Sequence, residues 1–208
     1  MSDDPDTDFT FARQGILFII SAPSGAGKTT LASRLFQEVP DLRPSISYTT
    51  RAPRKGEVNG RDYHFVSEEH FVQMRNAGAF AEWASVHEFF YGTPRAPVDE
   101  AITQGSDLLL DIDVQGAKQL KATYPEAVSL FVLPPSWHEL ERRLRGRGTD
   151  TEAVITRRLQ RAQEEARAFP TYDYWIVNDN LERAVSLLHA ILTAERARIA
   201  RLRQRSIA

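Results

Sequence analysis

The clearest chemistry in the sequence lies in the loop that reads Ser21, Ala22, Pro23, Ser24, Gly25, Ala26, Gly27, Lys28, Thr29, Thr30. Glycines let backbone N–H groups turn inward around a phosphate, and a following helix adds the positive end of its dipole. Lys28 would reach the β- and γ-phosphates of a nucleoside triphosphate, and the Thr29 hydroxyl would bind Mg²⁺. Residues 22–30 are therefore predicted to form a P-loop. Its usual first glycine is Ala22 here, which we interpret as tolerated variation.

The segments on both sides of this loop are those that a P-loop requires. Residues 15–20 form a continuous apolar run, which indicates a buried strand. Leu31 and Leu35 lie one turn apart on what reads as an amphipathic helix. A chance turn rich in glycine and serine is the alternative, and the flanking strand and helix argue against it.

Length and composition set the class of protein. The chain has 208 residues, 42% hydrophobic and 26% charged, which fits one globular domain. Its net charge of −2 disfavours a protein that binds nucleic acid, and the lack of cysteine excludes disulfides and thiolate chemistry. No apolar run reaches membrane-spanning length and the N-terminus is acidic, so we expect a cytoplasmic enzyme without membrane contact. Residues 1–14 are predicted to be a disordered acidic tail.

Strand and helix patterns alternate along most of the remaining chain, which predicts a single α/β domain over 15–208. We divide it into a core over 15–44, 94–145 and 169–208, an inserted subdomain over 45–93, and a helical lid over 146–168. Gly92 and Pro94 predict a turn at 91–94. Thr149 and Glu152 have the spacing of a capping box that would open a helix of the lid.

Strands that are buried on both faces and alternate with helices predict a central parallel sheet flanked by helices, with right-handed crossovers. Ligands bind at the carboxyl ends of the strands in such sheets. That rule places the P-loop, Asp111, Asp113 and Asn178 along one edge of the sheet.

Six motifs, in order and with matching spacing between about residues 16 and 192, resemble the guanylate kinase family. They are the segments 22–29, 47–63, 80–83, 91–93, 110–116 and 145–149. Their combination is specific, whereas the P-loop alone is not. The resemblance implies a P-loop kinase fold with an inserted mixed α/β acceptor-binding subdomain and a helical lid. It also implies phosphorylation of GMP to GDP by ATP and Mg²⁺, and it leaves open whether dGMP is accepted.

The resemblance assigns the phosphate of GMP to Arg51, Arg54, Tyr63 and Tyr91. Pro53 keeps the two arginines out of a helix interior, and two guanidinium groups held close together suit a dianionic monophosphate. Phenolic hydroxyls can donate hydrogen bonds to the same group. A solvated basic loop beside two structural tyrosines is the alternative.

Glu82, Ser47 and Thr93 match family positions that contact the base. Guanine presents N1–H and N2–H₂ as adjacent donors that one carboxylate can accept, whereas adenine presents an acceptor at N1. From the residues alone, Glu82 is only a polar residue on an alternating strand, so its role depends on the resemblance.

Asp111 and Asp113 end a buried strand beside the P-loop, and the resemblance places them in the acceptor site. One would organise the waters of Mg²⁺ while the other orients the acceptor or pairs with its arginines. Carboxylates at strand ends are often only helix caps, which is the alternative.

The remaining matches concern the donor side. Arg143, Arg147 and Arg158 correspond to positions that close a lid over the phosphates of ATP, and Asn178 to a position near the adenine. For any single arginine the alternative is a solvated surface residue.

Two other functions compete with a nucleotide kinase. A P-loop kinase that phosphorylates a ribose bisphosphate would need no residue that recognises a base, and Glu82 together with 91–93 argues against it. A guanylate-kinase-like module that binds peptides would have a degenerate P-loop, whereas Gly25, Gly27 and Lys28 are all present here.

Overall fold

The computed structural model describes residues 12–86, 88–146 and 151–203. Its strands are β1 (Leu17–Ser21), β2 (Leu42–Pro44), β3 (Tyr48–Thr49), β4 (His64–Phe65), β5 (Phe80–Val86), β6 (Phe89–Pro94), β7 (Asp107–Asp111), β8 (Val128–Leu133) and β9 (Tyr174–Val177). Its helices are α1 (Lys28–Glu38), α2 (Glu68–Asn76), α3 (Arg95–Gln104), α4 (Val114–Thr123), α5 (Trp137–Arg145), α6 (Glu152–Ala166) and α7 (Leu181–Arg196). Short 3-10 turns lie at Phe169–Thr171 and Ile199–Arg201.

The main sheet has five strands in the order β2-β7-β1-β8-β9, and every pairing in it is parallel. All five residues of β1 are buried, because helices cover both faces of the strand. Helices α1 and α7 pack on one face through side chains such as Leu35 and Leu188, and α3 and α4 pack on the other through Val98 and Leu120. The predicted parallel sheet flanked by helices is confirmed.

A second sheet lies in the inserted segment and has the order β4-β3-β6-β5. Strands β5 and β6 are antiparallel and place Glu82 opposite Thr93. The prediction of a turn at 91–94 is wrong, since these residues belong to β6. Gly92 is needed for close packing instead: a Cβ there would lie 2.9 Å from Phe80 Cδ1 and 3.0 Å from Phe71 Cζ.

Two further features differ from the sequence prediction. Strand β2 was not predicted; it is a three-residue edge strand that ends in proline, a residue tolerated at a sheet edge. The start of α6 also differs, because the helix begins at Glu152 with Thr151 as its N-cap residue, while Thr149 of the predicted capping box lies outside the described residues. The carboxylate of Glu152 pairs with Arg145.

The N-terminal end of the described chain is tied to its C-terminal end. Arg13 forms an antiparallel bridge with Leu202, and Gln14 N donates to Arg201 O at 2.9 Å. Residues 1–11, most of the predicted tail, lie outside the described residues. None of the helices within the described ranges is long and apolar enough to cross a bilayer.

Candidate active site

The P-loop joins the end of β1 to the start of α1. Gly25 and Gly27 have φ angles of 97° and 96°, in the left-handed region that glycine adopts without strain. At Gly27 a Cβ would also lie 2.3 Å from the amide nitrogen of Asn178. Ala22 is not among the non-glycine residues with positive φ in the described chain, so its Cβ needs no strained backbone.

A cavity of about 360 Å³ opens beside this loop. Ten residues were predicted to bind ATP, and nine of them lie in the loop. Eight of these nine line the cavity, namely Ala22, Pro23, Ser24, Gly25, Gly27, Lys28, Thr29 and Thr30. The ninth, Ala26, is fully buried in the core. We call this space the donor cavity.

A second cavity of about 200 Å³ lies between β5, β6 and the end of β7. It is lined by six of the residues predicted to bind GMP, namely Ser47, Tyr63, Glu82, Tyr91, Asp111 and Asp113. We call it the acceptor cavity. Lys28 and Asp113 line both cavities, so the two spaces meet at the start of α1.

Lys28 is held at this junction by two oxygen groups. Its ammonium group pairs with Asp111, and Nζ lies 3.4 Å from Ile112 O. Asp111 is the last residue of β7, Ile112 follows it, and β7 runs parallel to β1. Parallel pairing of the two strands therefore places the lysine of the P-loop beside the acidic end of the neighbouring strand.

Glu82 lies almost fully out of water, with 4% of its surface exposed. Burial raises the pKa of its carboxyl group to about 7, and the bond from Thr93 opposes this shift. Thr93 Oγ1 donates to Glu82 Oε1 at 2.5 Å. Thr93, expected to contact the base, therefore lies behind Glu82 and orients it.

The two arginines of the basic loop have different side-chain surroundings. Arg51 donates from Nε to Tyr91 OH at 3.2 Å, and its guanidinium carbon lies 5.5 Å from the ring centre of Tyr63. Arg54 lines the donor cavity instead. Sequence reasoning missed Glu57, which accepts from Arg51 Nη2 at 2.9 Å and from Arg54 N at 2.7 Å. The hydrogen bond from Arg51 to Glu57, and after it the bond to Tyr91, raise the pKa of Arg51.

Helix α6 presents one polar face to the donor cavity. Arg158 Nη2 donates to Ser24 Oγ of the P-loop at 3.1 Å. Arg161 and Glu165 also line the cavity and are joined by a 3.0 Å bond. Burial raises the pKa of the Glu165 carboxyl group. These last two residues were not proposed from the sequence, although their spacing from Arg158 puts them on its helix face.

The comparisons with known proteins agree with this geometry. A family model described as guanylate kinase matches residues 14–195. The chain belongs to the guanylate kinase family. It is 58% identical over 191 residues to the guanylate kinase of Syntrophotalea carbinolica, which covers 92% of this chain and 91% of the relative. It is 53% identical over 190 residues to that of Geobacter metallireducens, which covers 91% and 94%.

The same family appears among solved structures. The guanylate kinase of Anaplasma phagocytophilum superposes with a TM-score of 0.78 at 35% identity, covering 93% of this chain and 92% of that one. The predictions of family, fold class and enzyme class are thus confirmed. The reaction of guanylate kinases is the ATP-dependent phosphorylation of GMP to GDP.

Asn178 and Arg143 lie beneath the P-loop and are not among the residues that line the donor cavity. Asn178 Nδ2 donates to Ala26 O at 2.8 Å, and Asn178 is 7% exposed. Arg143 donates from Nη2 to Asn178 O at 3.0 Å and from Nη1 to Ala26 O at 3.4 Å. Arg147, the third lid arginine predicted, lies outside the described residues.

The two aspartates at the end of β7 have different surroundings. Asp113 is the N-cap of α4, and its Oδ1 accepts from Gln115 N at 3.1 Å and Gly116 N at 2.9 Å. The side chain of Asp111 is 44% exposed and pairs with Lys28. Helix capping, which the sequence left open for both, describes Asp113 alone.

Proposed function

We propose that the donor cavity binds the phosphates of ATP and that the acceptor cavity binds GMP, with phosphoryl transfer between them at Lys28. The observation that carries this proposal is the position of Lys28, which lines both cavities and is held by Asp111 and Ile112. A cation at the junction of two anionic substrates would stabilise charge on the phosphoryl group during transfer.

Glu82 is proposed to recognise guanine. Its Oε1 is fixed by Thr93, and its carboxylate lines the acceptor cavity. Guanine would donate N1–H and N2–H₂ to this carboxylate, while adenine would bring an acceptor against it and leave a buried polar group unpaired. The base selectivity of the reaction would therefore come from one oriented acid.

Tyr63, Tyr91 and Arg51 are proposed to hold the phosphate of GMP. The two phenol rings lie 5.9 Å apart, and Arg51 contacts both residues. Arg54 and Arg158 line the donor cavity and would act on the phosphates of ATP. This division assigns Arg54 to the donor, whereas the sequence assigned it to the acceptor.

The chemistry proposed for this site needs no general base. The nucleophile is a phosphate oxygen of GMP, and the second pKa of such a phosphate is about 6, so most of it is dianionic at neutral pH. The protein would contribute alignment, charge and exclusion of water. Water exclusion matters because water in place of GMP would hydrolyse ATP.

Mg²⁺ is proposed as the metal that accompanies ATP. The described residues contain no cluster of three or more histidine or acidic side chains that could hold an ion by itself. Mg²⁺ commonly keeps several waters and takes one or two protein ligands beside substrate phosphates, which fits this site. The exposed hydroxyl of Thr29, at the start of α1 in the donor cavity, would be such a ligand. When bound, Mg²⁺ neutralises charge on the phosphates.

Replacing Lys28 by alanine tests the proposed junction. We expect Lys28→Ala to bind GMP with nearly unchanged affinity while its turnover falls by about 100-fold or more, as when a preorganised charge is removed from a transition state. ADP release with GMP as acceptor measures turnover, and calorimetry with GMP measures binding. Lys118→Ala, which changes an exposed lysine of α4, is the control. Retained turnover in Lys28→Ala would contradict the proposal.

A further inference from the structure

Gly116, the third residue of α4, lies directly beside the carboxylate of Glu82. A Cβ built on its backbone would lie 2.5 Å from Glu82 Oε2 and 3.1 Å from Glu82 Cδ. Carbon atoms in favourable contact are about 3.5–4.0 Å apart, so this Cβ would overlap the carboxylate. The space that an alanine methyl group would fill is the space that the acid occupies.

The backbone of Gly116 does not itself require glycine. The residue lies inside a regular helix, and its φ is not positive. In a helix interior, alanine is more favourable than glycine by about 0.5–1 kcal/mol. Beyond the adjacent residues and the backbone of α4 itself, the next described atom is Asp113 Oδ1 at 3.5 Å, an ordinary contact. The conflict is therefore with Glu82 alone.

The contacts around Glu82 decide which group would move. Helix α4 is fixed to β5 by Gln119, which accepts from Trp83 N at 3.3 Å and donates to Trp83 O at 2.8 Å. Because the Gln119 side chain bonds to the backbone of Trp83, the residue after Glu82, α4 and β5 cannot easily separate. The carboxylate is the end of a flexible side chain that is held by Thr93, so it would be displaced.

We propose that Gly116 is a positioning residue for base recognition. Because Gly116 has no side chain, the carboxylate of Glu82 can occupy the location from which it accepts both donors of guanine. This inference rests on the proposed role of Glu82. It adds a determinant of specificity on a different element, the first turn of α4. Gly116 acts through Glu82 and does not line the acceptor cavity.

The test compares Gly116→Ala with Lys118→Ala, a change on the exposed face of the same helix. In Gly116→Ala we expect the KM for GMP to rise at least about tenfold, with kcat at saturating GMP and the KM for ATP changing by less than about threefold, as for lost substrate binding. The preference for GMP over AMP also falls. An unchanged KM for GMP together with an unchanged preference for GMP over AMP would overturn the proposal, because the carboxylate would then have kept its position.

A second variant of Glu82 tests whether Gly116→Ala changes the KM for GMP by displacing the Glu82 carboxylate. Glu82→Asp is one methylene shorter and withdraws the carboxylate from the added Cβ. In that background, Gly116→Ala should change the KM for GMP by less than about twofold, since coupled residues are not additive. If the two changes are additive, Gly116 acts by another route and the proposal is wrong.

Glu82→Gln in the same assay separates the two proposals. If it raises the KM for GMP while Gly116→Ala does not, the proposal for Gly116 fails alone. If neither substitution changes the KM or the preference for GMP, the base-recognition role of Glu82 fails as well.

Discussion

At the scale of single residues, Glu82 is an acid that the fold keeps out of water. Its pKa is raised to about 7 by burial, although recognition of guanine needs the ionised form. Thr93 Oγ1 stabilises the charge with one hydrogen bond, and Asp113 opposes it. The two donors of guanine would supply the remaining stabilisation, so GMP binding is expected to draw a proton from Glu82.

This coupling predicts a pH dependence. Below about pH 7 the free protein holds Glu82 protonated, so GMP affinity should weaken by up to about tenfold per unit as pH falls. The stability of the free protein should change in the opposite direction. Because folding raises the pKa of Glu82, the free protein should lose stability as pH rises from about 4.5 through 7. Calorimetry with GMP between pH 6 and 8.5 measures the first effect.

Glu82→Gln is the control for this dependence, because the phosphate of GMP also titrates near pH 6. The part of the pH dependence that belongs to Glu82 should vanish in this variant, while the part that belongs to GMP remains. Identical profiles for both proteins would show that Glu82 does not titrate on binding.

The sequence predicted residue types at the site better than it predicted their contacts. Six of the proposed acceptor residues do line one cavity. Thr93, however, lies behind Glu82, and Arg54 lines the donor cavity. These differences depend on strand register and loop path, which pair residues distant in sequence and leave no local pattern.

At the scale of elements, the loop after β9 braces the P-loop. Asn178 and Arg143 both donate to Ala26 O, and Arg143 also donates to Asn178 O. The carbonyl of Ala26 would otherwise be a buried acceptor without a partner, which costs about 1–3 kcal/mol. Two elements that do not line the donor cavity thus hold its loop in shape.

Asn178→Ala tests this brace. We expect stability to fall by about 1–2 kcal/mol and the KM for ATP to rise severalfold, while the KM for GMP stays close to that of the unchanged protein. Asn180→Ala is a matched control, since Asn180 caps α7 by accepting from Arg183 N at 3.0 Å. Its loss should cost about 1 kcal/mol without affecting ATP. Equal KM values for ATP in both variants would argue against the brace.

The errors at this scale also have physical causes. Gly92 and Pro94 resemble turn residues, but Gly92 serves the packing of Phe71 and Phe80, which come from other elements. Strand β2 is three residues long and is defined by its pairing with β7. Both features depend on tertiary contacts, whereas the helix after the P-loop, α1, was found from the spacing of Leu31 and Leu35.

At the scale of the whole molecule, one buried carboxylate connects several elements at the end of the main sheet that lies away from the two cavities. Asp107 has no exposed side-chain surface and accepts from Arg13 at 2.6 and 2.8 Å, from Arg196 at 2.7 Å and from Ile16 N at 2.9 Å. It thereby links the segment before β1, the start of β7 and the end of α7. The two cavities lie at the other end of these strands.

Asp107→Ala is therefore expected to lower stability without changing catalysis. Breaking a buried ion pair costs about 3–5 kcal/mol, and we expect the lower end because both arginines are about one-quarter exposed. Urea denaturation at neutral pH measures the loss. Glu182→Ala, which removes an exposed ion pair with Arg34, should cost less than about 1 kcal/mol. Similar losses in both variants would contradict this account of Asp107.

Selection of guanine by one oriented carboxylate is tested by the acceptor preference of Glu82→Gln. ADP release is measured with GMP and with AMP, and the ratio of their kcat/KM values is compared with that of the unchanged protein. Glu69→Gln, an exposed acid on α2, is the control. We predict that Glu82→Gln lowers the ratio by about 30-fold or more, as expected for a charged hydrogen bond worth about 2 kcal/mol. An unchanged ratio would contradict the claim.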